Sequence, residues 1–422
     1  MVNKNFSMIV GVILAASSAV QAAPEDYTTK ADDPSAGIRA GSGAARWQPS
    51  LELKATTRSN FYYQSSGKKE VGTGAILTPK IRYRAGNDQH KFDFTAQVSG
   101  AAFDTSPRDD YVDGQLGIRH LWNPVKGFSL QSALAAQHGH DPFGVNRTDA
   151  VALGAAGRPA DARLDIWETL NGSMIFRFGR PEAPVNVEAE IGAFGKIYSN
   201  NDVLTDGLEY AQQTGRLAAF FNYSDKTALV LEGIGQNTHF MDGSSVQRDA
   251  VEARVRGGVR YQATGKTRAD VRVGYFNRYA RRAGVADASG LDYTLGLTWA
   301  PEEHYNFTLE GGRESVPGYL GAGAGQVLFN NTQFIQMGWN QLWTKRFNTV
   351  LSAKKSYAAF ELPNGTSPRS DHVYEPNLRA TYAVGRNLFL LGSVAYTYRH
   401  SNSPGAKYNA TEAQAGARYD FF

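Results

Sequence analysis

Arginine recurs at alternating positions over two neighbouring stretches of this chain. The residues are Arg254, Arg256, Arg260, Arg268, Arg272 and Arg278. Residues two apart in an extended strand project from the same face, so each stretch would present a row of guanidinium groups. Guanidinium groups bind carboxylates and phosphates through paired hydrogen bonds, and a passage that they line attracts anions. The pattern therefore predicts a site that selects anionic solutes.

A second interpretation of the same arginines is structural. Glu252 and Asp270 lie on the same parities of the two stretches, and Asp93, Asp113 and Glu232 occupy similar positions elsewhere. Ion pairs between these carboxylates and the arginines would brace a wall without selecting a solute. Both interpretations are compatible with the sequence.

The segment His138-Gly139-His140-Asp141 offers another group of chemically active side chains. Two alternating histidines beside an aspartate could bind a metal ion or serve a hydrolase. However, the sequence has no P-loop, no glycine-rich dinucleotide motif and no GxSxG motif, and it contains no cysteine. No nucleophile or base stands at a defined spacing from the histidines, so we predict no catalytic site, no bound metal and no cofactor.

The elements that would position these side chains are strands, because apolar and polar residues alternate through most of the chain. In residues 248–263, Val251, Val255 and Val259 take one parity and the arginines take the other. We count eighteen such runs, and most are long enough for a tilted membrane-spanning strand of about 9–11 residues. They are 47–63, 74–85, 90–103, 110–122, 128–138, 162–178, 185–198, 210–223, 228–240, 248–263, 268–280, 291–300, 306–315, 329–343, 347–360, 371–384, 388–400 and 408–422.

The connections between the runs alternate in length, which distinguishes a membrane barrel from a soluble sheet. Every second connection is short and turn-like, as at residues 86–88, 264–266 and 385–387, whereas those between are longer and polar. Outer-membrane barrels have short periplasmic turns, longer extracellular loops and an even number of strands. The prediction is an all-β fold, a transmembrane antiparallel up-and-down β-barrel of about 18 strands with a water-filled interior.

The N-terminal residues have the features of a targeting segment. A short basic region precedes the apolar stretch Met8 to Val20, which is too short to span a bilayer as a helix, and Val20-Gln21-Ala22 forms a small-residue cleavage site. We predict a signal peptide at 1–22, a flexible periplasmic lead-in at 23–46 and a barrel at 47–422 in the outer membrane of a Gram-negative cell. The partners would be outer-membrane lipid, lipopolysaccharide and the barrel assembly machinery. A formal net charge of +4 does not indicate nucleic acid binding.

Residues 139–161 would form the third extracellular loop. In general porins this loop folds into the barrel and narrows it, and an alanine-rich middle at 150–156 favours burial here. The residues placed at such a constriction would be Asp141, Arg147, Asp149 and Arg158. The alternative is an ordinary exposed loop.

The first strands resemble those of a known family. Leu77-Thr78-Pro79-Lys80-Ile81-Arg82-Tyr83 follows a polar loop after Asn60-Phe61-Tyr62, which ends the first strand. His90-Lys91-Phe92-Asp93-Phe94 opens the next strand, and Tyr111 and Asp113 begin the fourth. The arrangement resembles the putative β-barrel porin 2 family of bacterial outer-membrane proteins. The resemblance implies a porin and, for some members, a link to exopolysaccharide systems, but it transfers no residue as a known site.

The function that follows most directly is passive diffusion of small hydrophilic solutes, either anionic ones or saccharides. Two other functions stay open: an exopolysaccharide export barrel that works with periplasmic partners, and a barrel enzyme that uses His138 or His140. Aromatic residues such as Tyr62, Tyr63 and Tyr111 could form a stacking track for sugars, although interfacial anchors have the same composition. We predict a channel rather than an enzyme, and the sequence leaves the oligomeric state open.

Overall fold

The computed structural model describes residues 38–39, 45–65, 69–144, 163–180, 182–201, 205–241, 248–264, 266–281, 285–302, 304–317, 329–361 and 369–422. Its strands are β1 (Ile38–Arg39), β2 (Arg46–Arg58), β3 (Gly72–Gly86), β4 (His90–Phe103), β5 (Tyr111–Val125), β6 (Phe128–Asp141), β7 (Asp165–Phe178), β8 (Val185–Tyr198), β9 (Tyr210–Asn222), β10 (Thr227–Phe240), β11 (Ala250–Thr264), β12 (Thr267–Ala280), β13 (Ala288–Glu302), β14 (Tyr305–Pro317), β15 (Phe329–Thr344), β16 (Phe347–Glu361), β17 (Arg369–Ala383), β18 (Leu388–Ser401) and β19 (Tyr408–Asp420). Short 3-10 helices cover Asp206–Leu208 and Pro404–Ala406. Within these ranges, no helix combines the length and apolar character needed to cross a membrane.

The strands β2 to β19 form one closed antiparallel sheet. Each strand pairs with the next along the chain, and β19 pairs with β2 over Glu412–Asp420 to close the ring. The barrel of eighteen strands that the alternation predicts is therefore confirmed. The short β1 pairs with the first two residues of β2. The strand β1 itself lies inside 23–46, where the sequence predicts only a flexible lead-in.

The barrel wall is inverted relative to a soluble protein, with apolar side chains outside and charged side chains inside. On β10, Leu231 is 55% exposed and its neighbour Glu232 is 2% exposed. On β11, Val255 is 60% exposed and its neighbour Arg256 is 6% exposed. Successive strand residues point to opposite faces, so this alternation gives the wall one hydrocarbon-compatible face and one polar face. Closing the sheet also pairs the backbone groups that hydrocarbon cannot satisfy.

The connections differ in length at the two ends of the barrel. At one end the strands are joined by turns such as 87–89, 126–127 and 345–346, and at the other by longer segments such as 59–71 and 142–164. The short end is assigned to the periplasm and the long end to the cell exterior.

The first spanning strand ends earlier than the sequence pattern indicates. The alternation extends to residue 63, but β2 ends at Arg58. Phe61 and Tyr62 are buried instead against Phe143 and Leu164, which come from the third extracellular connection. The prediction that Asn60-Phe61-Tyr62 ends the strand is therefore wrong, because these aromatic residues belong to a cluster of loop segments.

Two adjacent glycines of β11 give a direct test of how closely the strands pack. A Cβ atom on Gly258 would lie 2.1 Å from the carbonyl oxygen of Val271 on β12, whereas a Cβ atom on Gly257 would meet no heavy atom within 4 Å. We expect Gly258→Ala to lower the free energy of unfolding by about 1–3 kcal/mol, since the backbones must move apart. Gly257→Ala is the matched control, and urea unfolding in lipid vesicles measures both. Equal stability of the two variants would contradict this packing.

Candidate functional site

A buried carboxylate on β10 gathers three guanidinium groups inside the barrel. Glu232 accepts a hydrogen bond from Arg216 at 3.0 Å and one from Arg256 at 3.2 Å. Arg272 also donates to Glu232. Arg256 lies directly opposite Glu232 in the sheet, so the register of β10 and β11 produces the contact. A buried charge is stable only when opposite charges and hydrogen bonds compensate it, and Glu232 has both.

Two aspartates extend this cluster toward the neighbouring strands. Asp292 on β13 accepts from Arg256 Nε at 2.6 Å. Asp270 on β12 accepts from Arg260 Nε at 2.8 Å and from Arg272 Nε at 2.7 Å. Because Arg256 and Arg272 each bind two carboxylates, β10 to β13 are joined by side chains as well as by their backbones.

A second carboxylate cluster lies nearer the extracellular end of the same wall. Glu252 accepts from Arg254 Nε at 2.5 Å and from Arg278 Nε at 3.0 Å. Arg313 Nη1 lies 3.6 Å from Glu252 Oε1, and its guanidinium covers the ring of Phe276 with 3.2 Å to the ring centroid. Contacts between arginines and carboxylates thus link the strands of this wall along much of its height.

The six arginines singled out in the sequence therefore fall into two groups. Arg254, Arg256, Arg272 and Arg278 are each hydrogen-bonded to carboxylates of the wall. Arg260 binds Asp270 but keeps 28% of its side chain exposed. Arg268 is exposed, and within the described ranges no ion pair engages it. The contacts of the first group support the bracing interpretation, and anion selection by these residues stays a prediction.

Sequence reasoning did not find several members of this wall. Arg216 is also hydrogen-bonded to Glu188 and Glu190 on β8, and neither glutamate stood out in the sequence. Asp292 and Arg313 were missed as well. Glu188 and Glu190 alternate as the arginines do, so the same two-residue spacing could have indicated them.

A different part of the wall holds an open groove. It has a volume of about 500 Å³ and runs along the inner face of β2 to β6, with β19 beside it. Two ion pairs lie in its lining: Lys54 Nζ is 2.6 Å from Glu52, and Arg418 Nε is 3.1 Å from Asp420. Amide and hydroxyl side chains fill much of the remaining lining.

The third extracellular connection begins and ends inside the barrel mouth. Phe143 and Leu164, which flank its central part, are buried with Phe61 and Tyr62. Under this cluster lies a chamber of about 280 Å³. Residues 145–162, between these two flanks, lie outside the described part of the chain.

The proposed constriction residues are only partly visible. Asp141 ends β6, where it accepts hydrogen bonds from Trp167 Nε1 at 3.0 Å and from the Tyr198 hydroxyl at 2.7 Å. Arg147, Asp149 and Arg158 lie outside the described residues. The constriction stays a prediction, and Asp141 is engaged by the wall on which it sits.

The two histidines at the rim do not share a site. His138 lies on the outward face of β6 with Nδ1 at 3.1 Å from Glu168. His140 Nδ1 lies 2.9 Å from Asp113, and its ring stacks on Tyr111 with centroids 3.9 Å apart. In the part of the chain that the structure describes, no three histidine or carboxylate side chains gather where they could hold a metal ion.

Comparison with solved structures returns barrels of the outer membrane. The chain is 11% identical to OccAB4 of Acinetobacter baumannii, with 89% of this chain and 97% of that chain covered and a TM-score of 0.43. It is 10% identical to a BenF-like porin from Pseudomonas fluorescens Pf-5, with 89% and 99% covered and a TM-score of 0.44. For OprD of Pseudomonas aeruginosa the identity is 10%, the coverage 89% and 95%, and the TM-score 0.42. No curated protein matches the chain.

A family model described as Putative beta-barrel porin 2 matches residues 33–421. The match begins before β1 and continues past the end of β19, so it takes in the whole closed sheet. The family is one of outer-membrane porins, in agreement with the apolar outer face and polar interior. The chain therefore belongs to the putative beta-barrel porin 2 family.

Proposed function

We propose that the protein is a diffusion channel for small hydrophilic solutes. The observation that carries the proposal is the inverted wall, with a groove of about 500 Å³ along its polar inner face. A closed sheet of this strand number encloses enough space for water. The proposal includes export by a cleaved signal peptide at 1–22, which lies outside the described residues, and insertion by the barrel assembly machinery.

Recording single-channel currents in planar bilayers tests the channel directly. We expect stepwise conductance in KCl that rises in proportion to salt concentration, because ions would cross in a water-filled lumen. Heat-denatured protein is the control for detergent artefacts. An intact barrel that inserts and carries no current would contradict the proposal.

The proposal extends to a preference for anions. Guanidinium groups outnumber carboxylates in the two clusters of β9 to β14. Arg260 and Arg268 are their solvent-accessible neighbours near the periplasmic end. An excess of fixed positive charge raises the local concentration of anions.

Removing the accessible charge should therefore change ion selectivity. We expect the double variant Arg260→Ala/Arg268→Ala to lower the anion-to-cation permeability ratio about threefold, measured from the reversal potential in a KCl gradient. Arg386→Ala, in a periplasmic turn outside the lumen, is the matched control. An unchanged ratio in the double variant would leave these arginines without a part in selectivity.

A further inference from the structure

A row of polar side chains, of which only Lys80 is charged, crosses six neighbouring strands on the inner face of the barrel. The pairing registers place its members side by side, one on each strand from β2 to β7. In order they are Ser50, Lys80, Gln97, Gln115, Gln137 and Thr169. The first five line the groove of about 500 Å³. Three consecutive strands thus contribute a glutamine at the same level, which we call the glutamine row: Gln97, Gln115 and Gln137.

We infer that the glutamine row is a binding site for saccharides. The inference rests on the proposed function, because a sugar reaches the row only through a water-filled lumen. Each glutamine amide offers two donors and one acceptor oxygen, and a sugar hydroxyl needs a donor and an acceptor at once. Adjacent strands stand about 4.8 Å apart, so the row repeats amide groups at a short, regular spacing.

The amides of the row are open to a ligand. Among the described residues, Gln97 Nε2 donates only to Ser99 Oγ, at the long distance of 3.5 Å. Gln115 and Gln137 have no hydrogen bond to any described residue, and both are at least partly exposed. The arginines of the opposite clusters differ in this respect, since wall carboxylates already engage most of them.

The groove pairs most of its charged side chains, including Arg82 with Asp93 and Asp113 with His140, and adds one positive charge, Lys80, beside the glutamine row. Its pairs Lys54–Glu52 and Arg418–Asp420 compensate each other at 2.6 and 3.1 Å. The glutamine row adds no charge between them. A neutral polyol that enters the groove gives up hydrogen bonds to water, and the amide groups of the glutamine row replace them. This exchange requires no ionic partner on the ligand.

Aromatic rings stand at the extracellular end of the same groove. Tyr111 and Trp167 both line it. Trp167 is held by its hydrogen bond to Asp141 at 3.0 Å, and Tyr111 is held by stacking on His140. Apolar faces of sugar rings pack on fixed aromatic rings, so a saccharide that enters from outside would meet these rings before the amides.

The experiment measures block of the KCl current by maltotriose in planar bilayers. The test variant is Gln97→Met/Gln115→Met/Gln137→Met, because methionine keeps the side-chain length and removes the amide. The control is Gln262→Met/Gln336→Met, which changes two luminal glutamines outside the row. A polyethylene glycol of equal hydrodynamic radius, which lacks the hydroxyl groups, separates binding from simple obstruction.

We expect saturable block of the wild-type current by maltotriose and not by the polyethylene glycol. In the triple variant the apparent Kd for maltotriose should rise about tenfold or more, since three hydrogen-bonding groups are lost. The KCl conductance should stay within about twofold of wild type, as should the Kd of the control variant. If maltotriose blocks the wild type and the triple variant equally, or blocks neither, the inference is overturned. The proposal that the barrel is a channel is unaffected by either outcome.

Failure of the channel itself is distinguishable. If the wild-type barrel carries no current, titration calorimetry of the detergent-solubilised protein with maltotriose replaces the current measurement. Binding that the triple variant loses and the control variant keeps supports the row, and absence of binding to the wild type overturns it.

Discussion

Replacing Glu232 by glutamine should destabilise the barrel strongly while leaving its shape unchanged. Glu232 is 2% exposed and accepts hydrogen bonds from Arg216, Arg256 and Arg272. Glutamine keeps the volume but removes the negative charge at the point where three positive charges converge. Breaking a buried ion pair by removing one partner costs about 3–5 kcal/mol, and here the remaining charges also repel one another.

Urea unfolding in lipid vesicles, followed by tryptophan fluorescence, measures the effect of Glu232→Gln. Glu182→Gln is the control, because this glutamate is exposed in a periplasmic turn. A loss of stability confined to Glu232→Gln supports a wall that is held together by charge. If both variants unfold at the same urea concentration as wild type, the clusters contribute nothing to stability and the bracing interpretation is wrong.

Replacing the preceding residue, Leu231, by arginine should cost stability for the opposite reason. Leu231 is 55% exposed and is the fifth of the 14 residues of β10, on the outward face. An arginine on the lipid face of an outer-membrane barrel costs about 2–4 kcal/mol at the bilayer midplane. The guanidinium group of an arginine at this position reaches water only if its side chain bends toward the membrane interface.

Leu231→Phe is the matched control, since it keeps an apolar side chain at the same position. We expect Leu231→Arg to reduce the free energy of unfolding in vesicles and to slow insertion, while Leu231→Phe stays close to wild type. An arginine tolerated at position 231 without loss of stability would show that this face does not contact hydrocarbon.

Much of the fold could be predicted from the sequence because the information is periodic. A residue's parity within its run decides whether its side chain meets lipid or lumen, and Val255 and Arg256 follow this rule. The connections carried independent information through their alternating lengths. The end of β2 was misplaced because Phe61 and Tyr62 continue the alternation while packing against Phe143 and Leu164, residues far away in the chain.

The site was less predictable because ion pairs depend on register. The sequence shows that Arg256 and Glu232 face the lumen, but only the pairing of β10 with β11 shows that they are opposite each other. The same holds for Gln97, Gln115 and Gln137, which lie on three strands and form no local motif. If one strand shifted by two residues, each of its side chains would still point to the same face of the sheet, but the three glutamines would no longer lie side by side.

Single-cysteine labelling along β11 tests directly whether the two faces of the barrel wall meet lipid and water. The protein contains no cysteine, so one introduced thiol at each position from 252 to 260 is the sole target of a membrane-impermeant maleimide. In intact outer-membrane vesicles we expect thiols at positions 254, 256 and 260 to be labelled and thiols at positions 255 and 259 to be protected. Uniform labelling, or labelling of the valine positions alone, would contradict a barrel with lipid outside and water within.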